Sequence, residues 1–146
     1  MPAYAARSAA HFGRVLAMPN VVPPLSTASA MEDYARSVES ALAATTTTTG
    51  LLKTFKLIPG MGRQAILDCA AAGAVAGKYY PVGATTNSAD GVPGPEAIAP
   101  ELAAMEEAGL VLSIHGEDPA SPALEREAAF LPVVDRIVAR YGRLRV

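Results

Sequence analysis

The stretch AVAGKYYPVGATTNSADGV, Ala74–Val92, has two halves of different character. Ala74–Tyr80 reads as a buried strand, yet Lys78 stands inside it. From Pro81 the chain drops into a small polar loop in which Thr85 and Thr86 are adjacent. A strand that ends in polar side chains and hands over to a polar loop suits a parallel α/β fold, because such folds build their sites at the C-terminal ends of the strands. The rest of the chain must then alternate strand and helix.

It does so in both directions. Upstream, Gly62–Ala72 reads as a helix and Leu51–Ile58 as a strand, although Lys53 and Lys56 weaken that pattern. The run Thr45–Thr49 is low in complexity and reads as a linker or the polar start of the strand, with no function assigned. Met31, Tyr34, Val38 and Leu42 recur at helical spacing, with Thr27 or Ser29 as N-cap. Arg14–Met18 is a short apolar strand ended by Pro19 and Asn20, and Ala3–Phe12 is a helix closed by Gly13. Downstream, Ile98, Leu102 and Met105 mark a helix face that stops at Gly109. Leu110–Ile114 is a strand ending at His115. Glu125–Tyr141 is a long helix with Phe130, Val134, Ile137 and Tyr141 on one side, and Leu144–Val146 begins another strand.

Alternation of this kind predicts a parallel sheet with right-handed crossovers. Two architectures satisfy it: a doubly wound sheet, or part of a (β/α)8 barrel, whose complete form takes about 250 residues. The chain has 146 residues. It has neither a GxGxxG nor a Walker A sequence, so the usual nucleotide signatures of the doubly wound class are missing.

Bulk properties narrow the function classes. A net charge of −2 gives no reason to expect a nucleic-acid or membrane-surface partner. No apolar run approaches the roughly 18 residues of a bilayer span. A single cysteine, Cys69, cannot form an internal disulfide, which fits a reducing compartment; it reads as a small buried helix residue rather than a nucleophile. The N-terminal MPAYAARSAAHFG lacks the apolar core and cleavage site of a secretory signal. Its arginine and lack of acids resemble a transit peptide, but it reads better as a helix that begins partway through a fold.

Three strand ends carry distinctive polar residues: Asn20, Lys78 and His115. Asn20 and Lys78 are 58 residues apart and Lys78 and His115 are 37 apart. Barrel units average roughly 31 residues, so the three project into one mouth. Each has a plain structural alternative. Asn20 caps a turn, Lys78 snorkels from an edge strand, and His115 is a hydrogen-bonded structural residue. His11 reads as a surface residue at a helix end. The conjunction points to a site without naming a reaction.

The segments AMPNVVPPLST (Ala17–Thr27), KYYPVGATTNSADGV (Lys78–Val92), LSIHGE (Leu112–Glu117) and EREAAFL (Glu125–Leu131) resemble, in order and spacing, stretches of the bacterial-type (class II) dihydroorotases of the amidohydrolase superfamily. The KxYPxxATTNS pattern is the specific part; MPN and HGE alone are weak. The resemblance runs from about Phe12 to the last residue and implies that residues 1–146 form a partial (β/α)8 (TIM) barrel domain of about four strands with flanking helices. It implies a two-zinc hydrolase that interconverts (S)-dihydroorotate and N-carbamoyl-L-aspartate in pyrimidine synthesis. Lys78 matches a lysine that is carbamylated by CO2 and bridges the metals. His115 matches a zinc-binding histidine that also faces substrate. Asn20 matches the residue that binds the substrate carboxylate, and Thr85 and Thr86 match the pair in the mobile loop that closes over dihydroorotate. Carbamylation makes chemical sense, since an ammonium has no acceptor and a carbamate offers the oxygen donors a metal needs. The resemblance further implies a small-molecule substrate, a homodimeric parent enzyme, and a cytoplasmic location or, in a eukaryote, an organelle such as a plastid.

The departures are as informative. The first-strand HxHxR motif, which supplies two zinc-binding histidines and an arginine, has no counterpart here. A later zinc histidine and the general-base aspartate are also missing, so no residue of this chain is assigned that catalytic role. Thr45–Gly60, TTTTTGLLKTFKLIPG, departs from the family pattern. The expectation is an internal fragment, inactive by itself, with two alternatives: a noncatalytic remnant that pairs with a complementary fragment or partner enzyme, and a related cyclic amidase such as a hydantoinase or allantoinase. The Thr85-Thr86 loop argues against the last.

Overall fold

The structure is a computed structural model that describes residues 7, 9–45 and 48–146. Most of the helix expected over Ala3–Phe12 and the middle of the threonine run lie outside the described residues. Beyond them, strands and helices alternate as the sequence pattern requires: β1 (Arg14–Leu16), α1 (Ala28–Ala43), β2 (Gly50–Lys56), α2 (Gly62–Ala71), β3 (Ala74–Tyr79), a 3-10 turn (Pro95–Ile98) leading into α3 (Ala99–Ala108), β4 (Val111–Ile114) and α4 (Arg126–Arg140).

The helix ends follow local chemistry. Thr27 Oγ1 accepts from Ala30 N at 3.2 Å and starts α1. Met31, Ala35, Val38 and Leu42 then turn one buried stripe inward. The first residue of α2 has no cap of its own, and Glu101 of α3 supplies one, its Oε1 accepting from Gly62 N at 2.7 Å. Gly109 ends α3 at φ 67, a left-handed conformation that favours glycine.

All four strands are parallel, in the order β1-β2-β3-β4. Each new strand adds to the same side of the last, whereas a doubly wound sheet reverses at a switch point. This progression is that of a barrel and decides between the two architectures. The strand expected to begin at Leu144 makes one parallel bridge, Val111 to Arg145, and continues the same sense.

Parallel register divides the side chains between two faces. Phe55, Gly77 and Leu112 are matched across the sheet, and so are Lys56, Lys78 and Ser113 one position on. The first set packs under the helices: Phe55, Leu57, Tyr79 and Leu112 share a buried core with Ile66, Leu102, Met105, Phe130 and Ile137. Gly77 is glycine for a reason of space, since a Cβ there would meet Phe55 Cζ at 2.8 Å and Met105 Cε at 3.0 Å. The other face is concave. Leu16, Leu52, Ala76, Val111 and Val146 line an open apolar trough of about 650 Å³ along it.

Cys69 lies in α2, fully buried, as its sequence context suggests. Burial, with the Asp68 charge beside it, pushes the thiol pKa from 9.0 up to about 11. A thiol held protonated in the fold but ionised in the unfolded chain contributes fully below pH 9.0 and loses that contribution as pH rises towards about 11. Alkylation at pH 8 should therefore be at least ~10-fold slower in the folded chain than in urea-unfolded chain. Equal rates would show that α2 does not cover the thiol.

Candidate active site

The polar residues of the concave face gather at the C-terminal ends of the strands. Lys78 is the penultimate residue of β3, an inner strand flanked by β2 and β4, so it is not an edge residue snorkelling outward. Its Nζ is 3.4 Å from Ser113 Oγ on β4 and 5.5 Å from the centroid of the Tyr80 ring. Burial lowers the Lys78 pKa from the ordinary lysine value, which raises the share of free amine. The aromatic face stabilises the ammonium that remains.

His115 follows β4, anchored by its backbone N, which donates to Tyr79 O at 2.9 Å. Its ring lies near that of Tyr80, with centroids 6.0 Å apart. Nε2 is buried and makes no hydrogen bond, although Glu117 Oε1 is 3.3 Å away. The proximity sets up a charge contact if the ring is protonated, without the alignment a hydrogen bond needs. Arg126 Nη1 lies 3.8 Å from the other oxygen of Glu117.

Asn20, in the loop after β1, reaches across to the threonine loop. Its Nδ2 donates to Thr86 O at 2.8 Å, and Asn87 Nδ2 returns a long contact to Asn20 O at 3.5 Å. Asn20 Oδ1 is buried with no hydrogen-bond partner. Within the loop, Ser88 Oγ donates to Thr85 O at 2.5 Å and accepts from Thr85 N at 3.1 Å. Thr85 is half-buried and Thr86 exposed. Lys78, His115, Asn20 and the Thr85-Thr86 pair, singled out from sequence, thus occupy one end of one sheet.

Lys56 was not singled out, and it belongs to the same place. It is the register partner of Lys78, its side chain is 1% exposed, and its Nζ lies 5.8 Å from the Tyr80 centroid. It donates to Asp90 Oδ1 at 2.5 Å and Asn87 O at 2.6 Å. A signal was available in Phe55-Lys56-Leu57: with apolar residues on both sides, alternation sends the lysine to the concave face.

His115 Nε2, buried with no hydrogen-bond partner, suits a metal ion, and Lys78 Nζ nearby makes one long contact to Ser113 Oγ. Among the described residues, however, no group of three or more His, Cys, Asp and Glu lies close enough to hold a metal. A catalytic zinc takes about three protein ligands, so Lys78 and His115 alone would not complete such a centre. Among the described residues, no helix is long and apolar enough to cross a membrane.

Sequential parallel order and a polar mouth define the class: an incomplete (β/α)8 barrel with polar residues at its strand ends. No family model matches the chain. The chain is similar to dihydroorotases over part of their length. It is 42% identical to the dihydroorotase of Marinobacter nauticus over 134 residues, which is 90% of this chain and 38% of that protein. It is 38% identical to the dihydroorotase of Teredinibacter turnerae over 142 residues, 95% of this chain and 41% of that protein. Its fold superposes on the Campylobacter jejuni dihydroorotase with a TM-score of 0.88 at 26% identity, covering 98% of this chain and 41% of the other. A Saccharomyces cerevisiae dihydroorotase crystallised with 5-fluoroorotic acid gives 0.83 at 30% identity, covering 96% and 40%. The chain therefore spans about two fifths of the length of the relatives it matches.

Proposed function

We propose that this chain carries part of a dihydroorotase-type active site, which interconverts (S)-dihydroorotate and N-carbamoyl-L-aspartate in pyrimidine synthesis. The observation that carries this is the meeting of Lys78, His115, Asn20 and the Thr85-Thr86 loop at one sheet end, in a chain whose relatives are dihydroorotases. Lys78, as its carbamate, and His115 hold zinc in this proposal. The carbamate forms when the amine lone pair adds to CO2 and the nitrogen releases a proton, a reaction favoured by the free amine that burial promotes. Bound zinc supplies Lewis acidity and lowers the pKa of water towards neutral.

The chain's own residues bind and orient. Asn20 presents a buried, unpartnered Oδ1 and an amide already tied to the loop, which places it to fix the substrate carboxylate side. Thr85 and Thr86 offer hydroxyls to the substrate ring while their loop excludes water. The Tyr80 ring lies near both Lys78 and His115 and packs beside them at the strand ends. The substrate is a small molecule, the parent enzyme a homodimer, and the location cytoplasmic or, in a eukaryote, organellar such as a plastid.

A noncatalytic second reading has its own support: the described residues hold no three-donor metal cluster, and the concave apolar trough lies open. In that case the chain pairs with a complementary barrel half or a partner enzyme. One experiment separates the two. The purified 146-residue polypeptide, given zinc and bicarbonate, should not hydrolyse dihydroorotate. Adding a polypeptide spanning the rest of the Marinobacter nauticus barrel should bring zinc-dependent hydrolysis well above either half. Complex formation without turnover would favour the noncatalytic reading.

A further inference from the structure

Lys56 has no task in the function proposed above, yet it is among the most deeply buried charged side chains described, 1% exposed. A buried charge is tolerated when it is paired and hydrogen-bonded. Lys56 meets that condition with partners from one source. Asp90 Oδ1 at 2.5 Å and Asn87 O at 2.6 Å both belong to the loop after β3, more than thirty residues away in sequence. The last residue of an inner strand thus directs its side-chain polar contacts to the threonine loop.

The grip falls where the loop needs it. Asn87 sits at φ 54, in the left-handed region that asparagine tolerates, and its carbonyl is the one Lys56 engages. The preceding carbonyl, of Thr86, is held by Asn20 Nδ2 at 2.8 Å. Two successive peptide units are therefore tied to two different strand ends, with Thr85 and Thr86 directly before the second tie. Asp90 is 44% exposed at its side chain, so its half of the ion pair is open to solvent.

We propose that Lys56 is a positioning residue: its ion pair with Asp90 and its hydrogen bond to Asn87 hold the Thr85-Thr86 pair over the strand ends, and losing the pair frees them. Only the choice of ligand rests on the dihydroorotase-type reading.

The test is amide hydrogen exchange on the 146-residue chain and its variants. The loop amides of Gly83, Thr85 and Gly91 are hydrogen-bonded to Ser88 and report loop order. Leu57 N and His115 N, bonded to Lys78 O and Tyr79 O, report the sheet. Asp90→Asn and Lys56→Met should speed exchange of the loop amides by at least ~10-fold and leave the sheet amides unchanged. Asp90→Glu, which keeps the charge, should restore protection. With the rest of the barrel and zinc added, dihydroorotate should slow loop exchange in the unaltered chain, and Asp90→Asn should need about 10-fold more of it for the same effect. Unchanged loop exchange in both disruptive variants, or equal acceleration of loop and sheet, would overturn the positioning role. If dihydroorotate protects nothing while the loop effect stands, the dihydroorotase reading fails and the clamp survives.

Discussion

Lys78→Met should lower dihydroorotate hydrolysis by the complemented barrel at least ~10³-fold, equivalent to about 4 kcal/mol of transition-state stabilisation. The cause is chemical. In the proposed site the Lys78 nitrogen takes up CO2 and contributes oxygen donors to zinc; a thioether can do neither. The fold should survive, because the half-buried Lys78 ammonium makes one long hydrogen bond, to Ser113 Oγ at 3.4 Å, besides its contact with the Tyr80 ring, and methionine fills a similar volume. Lys53→Met serves as the control. Lys53 belongs to the same neighbouring strand as Lys56 but donates to Ala72 O, away from the mouth, and should leave turnover unchanged. Mass measurement under gentle conditions adds a readout independent of turnover: exposure to CO2 should add one CO2 to the unaltered chain and none to Lys78→Met. Full activity in the variant would remove Lys78 from the mechanism.

Phe55→Ala should cost ~3–5 kcal/mol of folding stability, the range for emptying a large aromatic site. That is a large part of the 5–15 kcal/mol an ordinary domain has. Phe55 is fully buried between the sheet and the helices, and its ring occupies the space over Gly77. The lost ring leaves a void bounded by Gly77, which has no side chain to fill it, and Met105. Denaturant titration of the unaltered and variant chains gives the difference directly. Gly77→Ala tests the same contact from the other side: it should destabilise the Phe55 chain and be better tolerated with Leu at position 55, where the Cβ no longer meets a ring. A loss below ~1 kcal/mol for Phe55→Ala would mean that the sheet and α3 do not pack as described.

Much of this architecture was legible because the signals are local. Met31, Val38 and Leu42 recur at helical spacing and are buried, and Thr27 caps the helix they form. Gly109 closes α3 as a left-handed stop. Strand and helix alternation gave the parallel sheet, but two architectures remained until the strand order was known. Asn20, Lys78 and His115 were placed at strand ends from the strand pattern and in one mouth from their spacing, and the structure sets all three at one end of the sheet. Lys56 shows the limit. It looked like a flaw in a strand because its partners, Asn87 and Asp90, lie in a later loop. Nothing near it in sequence announces a buried ion pair.

The sequence by itself determined the order of elements, the helix ends at Thr27 and Gly109, the dihydroorotase resemblance and which strand ends are polar, since each depends on residues within a few positions of one another or on a linear motif. The tertiary structure alone decided the sequential strand order, the register pairing of Lys56 with Lys78, the nearness of Tyr80 to both Lys78 and His115, and the tying of the Thr85-Thr86 loop to Asn20 and Lys56. These depend on parallel register, which sets side by side residues that the intervening helices keep far apart along the chain.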